Sequence, residues 1–168
     1  MNRTEPEMLR ERTIRWEDPH AGAALIRSMN GVDALRAVMS GAIPASPIAL
    51  LLGMRITEVD EGRVVFEAEP GEYLYNPIDV VHGGFACTIL DSAMGCAVQT
   101  TLPAGVGYTT TDVQVRFIRA IAIKTGRVRC EGNVLHVGRS TAVAEGRLTD
   151  AGGKLLAIGT TSCAILRP

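Results

Sequence analysis

Residues 82–101, HGGFACTILDSAMGCAVQTT, constrain this chain more than any other stretch. Their composition is helical, and the helix is apolar on nearly every side. Such a helix cannot lie on a surface; other structure must wrap it. The flanking segments supply the wrapping. MRITEV and RVVFEAE flank Asp60-Glu61-Gly62, a hairpin signal. After the helix, YTTTDVQVRFI alternates, with Val113, Val115 and Phe117 on one face and Asp112, Gln114 and Arg116 on the other. GRVRCEGNVLHV follows, with Gly132 expected to mark a bulge or bend. STAVAEGRLTD and KLLAIGTTSCAIL are joined by Asp150-Ala151-Gly152-Gly153, a further turn. The order β-β-α-β-β-β-β predicts an α+β fold: a curved antiparallel sheet folded around a central helix.

The rest of the chain sets bounds. Its 168 residues, 46% apolar, make one domain-sized unit with a real core. A net charge of −1 offers no global field for nucleic acid or an anionic membrane. No apolar run reaches the roughly 18 residues of a membrane span. The charged start, MNRTEPEMLRERTIRWEDPH, lacks a signal-peptide core and reads as an arm over residues 1–19. Residues 20–40 read as one helix, ended by Gly41 and Pro44. GAIPASPIALLLG reads as a linker into the main domain. The expected division is thus an N-terminal helical extension, 1–47, and a main domain, 48–168. Cys87, Cys96, Cys130 and Cys163 show no paired spacing and read as reduced thiols of a cytoplasmic protein.

One residue does not fit a greasy helix. Asp91 sits mid-segment, and burying a charge costs several kcal/mol unless it is compensated. Cys87 and Thr88 lie one turn before it, Gly95 one turn after it, and Gly84 and Ser92 share its strip. Asp91 thus lies on a stripe of small and polar residues that lets a backbone or a ligand approach. At the helix start, Gly83 and Gly84 offer free N–H groups and a positive dipole end. Taken singly, these features are ordinary: a tight turn, a satisfied core carboxylate, a structural His82. Cys87 reads as a small buried hydrophobe, lacking the base a nucleophile needs.

Taken together, N-x5-HGG-x6-D-x3-G, set between a hairpin and a four-strand run, resembles the PaaI-type acyl-CoA thioesterases of the hotdog fold. The resemblance covers residues 48–168. Asn76, His82, Gly83 and Asp91 fall on that family's functional positions; GYTTTDVQVRFIRA resembles its strand after the helix and HVGRSTAVAEGRLTDAGGKLLA its next hairpin. The chain departs from the family at Asp79, where Gly is common, and at Ala120, where Pro is common.

The resemblance implies hydrolysis of an acyl-CoA thioester, with no metal or cofactor. Asp91 is then the general base or the nucleophile, and the Gly83 and Gly84 amides the oxyanion donors. Asn76 holds the water or carbonyl; His82 steadies the loop or approaches the leaving sulfur. Thr110 or Thr109 is expected to hydrogen-bond Asp91 or its water. Phe117 and the HVGRS turn, His136, Val137, Gly138, Arg139 and Ser140, are expected to line the coenzyme A site. Arg139 is the best single phosphate partner, ahead of Arg119 and Lys124. His20, His82 and His136 have no metal-ligand spacing. Two alternatives stay open: a hotdog dehydratase or hydratase, for which His82 would be indispensable, and a non-catalytic acyl-CoA sensor. The acyl group is aryl or medium-chain.

Gly83 and Asp91 are eight residues apart, about 12 Å along a helix axis. One carbonyl must lie near both, so two antiparallel helices of a two-fold dimer are expected to share each site. The resemblance implies two such dimers in a tetramer.

Overall fold

The computed structural model describes residues 9–168; residues 1–8 of the expected arm lie outside them. Three helices come first: α1 (Pro19–Ser28), α2 (Gly31–Ser40) and α3 (Pro47–Leu52). A hairpin follows, β1 (Met54–Asp60) and β2 (Arg63–Ala68), then the long helix α4 (Gly83–Thr100). The chain ends in β3 (Gly107–Phe117), β4 (Val128–Val137), β5 (Thr141–Asp150) and β6 (Leu155–Leu166). All six strands form one antiparallel sheet in the order β1-β2-β4-β5-β6-β3. This is the curved sheet around a central helix that the β-β-α-β-β-β-β pattern predicts.

The N-terminal part is more broken than its periodicity suggests. The single helix expected over 20–40 is two, because Asn30 interrupts it and caps the second: its side chain accepts from the Asp33 N–H at 3.0 Å. The expected linker contains α3, started by Pro47 and ended by Gly53 at φ 68°. The described part of the arm is tied down: Arg12 stacks over the Tyr73 ring, 3.8 Å from its centroid, and donates to Leu51 O. Ala34 and Leu35 of α2 are buried, and the Gly31 N–H donates to Leu102 O just past α4.

The centre of the molecule is a row of three glycines. Gly132 of β4 pairs with Gly146 of β5, and Gly146 with Gly159 of β6. A Cβ on Gly132 would lie 2.3 Å from the Ala93 carbonyl oxygen of α4; one on Gly146 would lie 2.9 Å from Leu90 Cδ2. The row is a trough in which Leu90, Ala93 and Met94 lie with no exposed surface. Gly132 is therefore not the bulge expected from sequence. It pairs regularly, and the glycine serves the close approach of a helix backbone. The β4 irregularity falls instead at Leu135, between Val134 and His136.

α4 is not apolar all round. Phe85, Ala86, Ile89, Leu90, Ala93, Met94, Ala97 and Val98 are buried by the sheet. Cys87, Thr88, Asp91, Ser92, Cys96 and Gln99 are only half-buried. They form one arc between the two edge strands, β1 and β3, open except at its Gln99 end, where Gly31 of α2 packs on the α4 backbone. No helix among the described residues is long and apolar enough to cross a membrane.

The outer face of β1, β2 and β4 carries a charge network. Arg63 donates to Glu58 (2.5 Å) and Glu131 (3.2 Å), and Arg129 to Glu131 (2.8 Å) and Glu58 (3.0 Å). Burial pushes the Glu131 pKa up, but hydrogen bonds from Arg129, Asn133 and Arg63 outweigh it and hold it at about 2. The depressed value means that its contribution is complete above the ordinary 4.5 and is lost as pH falls toward 2. Glu131→Gln should therefore cost on the order of 1–2 kcal/mol at neutral pH. Urea titrations of the two proteins should converge as pH falls toward 2; a pH-independent gap would show that packing, not charge, is lost.

Candidate active site

The loop before α4 is built on Asn76. Its Oδ1 accepts from the Ile78 N–H (3.1 Å) and the Val80 N–H (3.3 Å), while its own N–H donates to Val80 O (2.8 Å). Asp79 sits in this turn at φ 62°, the left-handed region that glycine favours and Asp tolerates. The turn thus accommodates Asp79, where the chain departs from the resemblance.

His82 is the N-cap of α4. Its Nδ1 accepts from the Gly84 N–H at 2.8 Å, which leaves the proton of the neutral ring on Nε2. Of the two amides expected to face an oxyanion, the Gly84 N–H is thus occupied. The Gly83 N–H has no acceptor among the described residues. Phe117 lies over Gly83: a Cβ there would lie 3.1 Å from the ring's Cζ. Asn76, His82, Gly83, Phe117 and Arg119 line a cavity of about 270 Å³. Arg119 also donates to Leu155 O at 2.5 Å.

Asp91 is not on that lining. It faces β3, where Thr110 Oγ1 donates to Asp91 Oδ1 at 2.9 Å; Thr109 is exposed on the other face. No backbone N–H among the described residues reaches the carboxylate, so the ordinary satisfied core carboxylate is not what is found. Three further groups surround it. Burial pushes the Cys96 thiol up to about 12, and the Asp91 charge adds to the effect. Burial raises the Tyr108 hydroxyl well above 10, with Cys96, Cys163 and Asp91 adding to it. Burial also raises Cys163, against hydrogen bonds with Thr161 and Thr110 and with Asp91 reinforcing it.

Tyr108 was not among the sequence-expected site residues. Its hydroxyl lies over Gly95, where a Cβ would come within 2.3 Å. The available signal was a glycine one turn after Asp91 and an aromatic residue two before Thr110.

The Gly138–Ser140 turn joins β4 and β5. Ser140 O accepts from the Ile165 N–H at 2.9 Å, and Ile165 pairs with Tyr108. The turn therefore lies toward the Tyr108 end of the molecule. Val137 is half-buried beside Ala142, while His136 is exposed on the outer face. The Arg139 carbonyl accepts from Arg167 Nε at 3.1 Å; its guanidinium makes no ion pair among the described residues. Lys124 is exposed, and Cys87 is half-buried on the open arc. No three His, Cys, Asp or Glu among the described residues converge as a metal site.

One chain thus groups its candidates in two sets. Asn76, His82, Gly83 and Phe117 form one; Asp91, Thr110 and Tyr108 form the other, with Arg139 toward its end.

The Thioesterase superfamily profile matches residues 79–157, from this loop into β6. A Halobacterium salinarum protein, provisionally named an esterase, is 30% identical over 124 residues, covering 70% of this chain and 80% of that protein. The chain belongs to the thioesterase superfamily. It is a thioester hydrolase with the hotdog fold. The 1,4-dihydroxy-2-naphthoyl-CoA hydrolase of Listeria monocytogenes is 25% identical over 115 residues, 68% of this chain and 91% of that enzyme. Among solved structures, a Ralstonia eutropha protein provisionally named a phenylacetic acid degradation thioesterase superposes with a TM-score of 0.71 at 26% identity, covering 77% of this chain and 98% of that one. The Escherichia coli PaaI protein has the same fold, with a TM-score of 0.71 at 19% identity over 83% of this chain and 96% of its own.

Thr110→Val keeps the shape of the side chain and removes the donor to Asp91. Turnover should fall roughly 10–100-fold, the usual weight of a hydrogen bond to a charged group. Melting temperature should hold, and Thr110→Ser should restore most of the rate. Equal activity in Thr110→Val would remove Thr110 from the site.

Proposed function

We propose that this protein hydrolyses an acyl-CoA thioester to a free acid and coenzyme A, in sites shared by two chains. The observation that carries the reading is the half-buried Asp91 carboxylate, held on one oxygen by Thr110 and on the open arc of α4. Its other oxygen has no partner among the described residues and is placed to take a proton from water or to attack the thioester carbonyl. Charge then develops on the carbonyl oxygen, and the unoccupied Gly83 N–H at the positive end of α4 is the donor suited to it. His82 holds the helix start, Asn76 holds the loop, and Phe117 covers the donor. Arg139, exposed and unpaired among the described residues, is suited to a coenzyme A phosphate. The sequence relationship to a naphthoyl-CoA hydrolase supports the coenzyme A thioester as substrate. The engagement of His82 Nδ1 as a cap favours hydrolysis over a His-dependent hydratase. The same reading carries a cytoplasmic enzyme that needs no metal or cofactor and binds neither nucleic acid nor membrane.

The shared site follows from length. Gly83 and Asp91 of one chain are about 12 Å apart along α4. A second chain related by a two-fold axis, its α4 antiparallel, brings its Gly83 to the first chain's Asp91. Cover for the open arc and for exposed Ile78, Phe117 and Ile118 near the Gly83 end supports this arrangement. Pairing of two such dimers gives the proposed tetramer.

Asp91→Asn should lower kcat by about 10²–10⁴-fold with melting temperature nearly unchanged. Near-normal turnover would end the assignment. Complementation tests the sharing. Asp91→Ala and Gly83→Pro should each be nearly inactive, and after subunit exchange a mixture should recover about a quarter of wild-type activity, because half the dimers hold one intact site of two. No recovery in a mixture that mass measurement shows to contain heterodimers would mean that each chain builds its own site.

Arg139→Ala should raise KM for acyl-CoA more than it lowers kcat, since the nucleotide is remote from the carbonyl. Acyl-pantetheine substrates, which lack the nucleotide phosphates, should not distinguish the two proteins. A deficit of equal size on both would make Arg139 structural.

A further inference from the structure

A second cavity is lined by none of the candidate site residues. It measures about 520 Å³, within the range of small-molecule sites, and lies between the N-terminal helices and the β1 edge. Ile26, Leu35, Val38, Met39, Leu50 and Met54 give it an aliphatic wall; Phe66 is its one aromatic side chain. Nearly all of this wall comes from residues 17–56, outside the stretch 79–157 that the family profile matches. From α4 the wall receives a single residue, Cys96. Cys96 belongs to the open arc, and its thiol responds to the charge of Asp91. The arc thus runs from the carboxylate, past Ser92, to the cavity.

Resting on the hydrolase reading above, we propose that this cavity receives the distal part of the acyl group, and that the preferred substrate is a medium-length aliphatic acyl-CoA. Asp91 and Cys96 are five residues apart, about 7.5 Å along the helix. A carbonyl held at Asp91 leaves an acetyl group short of the cavity. A ring attached directly to the carbonyl stops short as well, while a flexible chain passes over Ser92, since Tyr108 covers Gly95, and follows the helix surface about 140° round to the cavity. The polar groups on the wall suit a neutral tail. Glu17 and Asp18 put two carboxylates on the wall, Asp18 turned to the His20 N–H (2.9 Å); Arg55 is paired with Glu67 (2.7 Å), and among the described residues no unpaired cation lines the wall for an anionic end group. Met39 and Met54 add adaptable surface that moulds to a chain. The helices before β1 thereby set chain-length specificity for a site whose chemistry lies in the hotdog domain.

The test is a series of straight-chain acyl-CoAs, from acetyl to dodecanoyl, with benzoyl-CoA as the ring control. In the wild type, kcat/KM should rise by up to about four-fold per methylene once the chain reaches the cavity, then level off when the cavity is full. Ala23→Phe fills the cavity from α1 without touching the candidate active site. It should lose at least about ten-fold on decanoyl-CoA and leave acetyl-CoA unchanged. Val38→Phe, from α2, should do the same and covers the case in which the first variant does not fold. A flat chain-length profile, or equal loss on acetyl- and decanoyl-CoA in a folded variant, overturns the proposal. S-decyl-CoA, a thioether that cannot be hydrolysed, separates this from the hydrolase reading. Calorimetric binding of S-decyl-CoA that is lost in the variants supports the cavity even if no thioester is turned over; binding that the variants leave intact overturns it.

Discussion

The contact of the α4 backbone with the glycine row of β4, β5 and β6 is the constraint on which the rest of the structure depends. Gly132, Gly146 and Gly159 are in register across three strands, and α4 lies in the trough they leave. A Cβ at Gly132 would overlap the Ala93 carbonyl, so any larger residue would push the helix outward. Seating the helix this deeply lets the sheet close over one side of it while the two edge strands stop short of each other. The open arc of α4 is what remains between those edges.

That arc explains why the candidate residues fall into two sets. The sheet buries the apolar side of α4 along its length, so every chemically useful residue lies on the other side or at the helix start. A helix start and a mid-helix side chain are separated by the rise of the helix, and no local rearrangement closes about 12 Å. Of the small residues on this side, Gly95 makes room for Tyr108 of the same chain, while Thr88 and Ser92 leave the arc low enough for another surface to approach. The second antiparallel copy proposed above would meet both needs, covering the arc and adding the missing donor.

Much of this was legible in the sequence, and the gaps have physical causes. The succession of strands and helix along the chain and the Asp91 stripe follow from periodicity, which is local. The glycine row does not, because it exists only once three strands are in register. Gly132 therefore read as a bulge. Asn30 split a helix whose apolar spacing runs on across it, because the Asn side chain captured a backbone N–H. The choice between Thr109 and Thr110 was undecidable for a related reason. Thr111 is an extra residue in β3, between pairs Thr110–Cys163 and Asp112–Ser162. Before it Tyr108 and Thr110 face α4; after it Val113 and Val115 do. Strict alternation back from Val113 would turn Thr109 and Thr111 inward. The bulge shifts the parity by one and delivers Thr110 to Asp91.

The placement of Asp91 now has a physical account. A carboxylate deep in the core would need several donors, and the interior of a hotdog sheet has none to spare, since its backbone groups are paired strand to strand. On the arc the group keeps partial access and needs only Thr110. Its neighbours are chosen to stay neutral: Tyr108, Cys96 and Cys163 are all pushed upward by burial, so none of them carries charge at neutral pH. Asp91 lies beside these apolar and weakly polar atoms, which screen charge far less than water does. One oxygen bonded and the other exposed would be a defect in a core; at the edge of one it is what the base or nucleophile role proposed above requires.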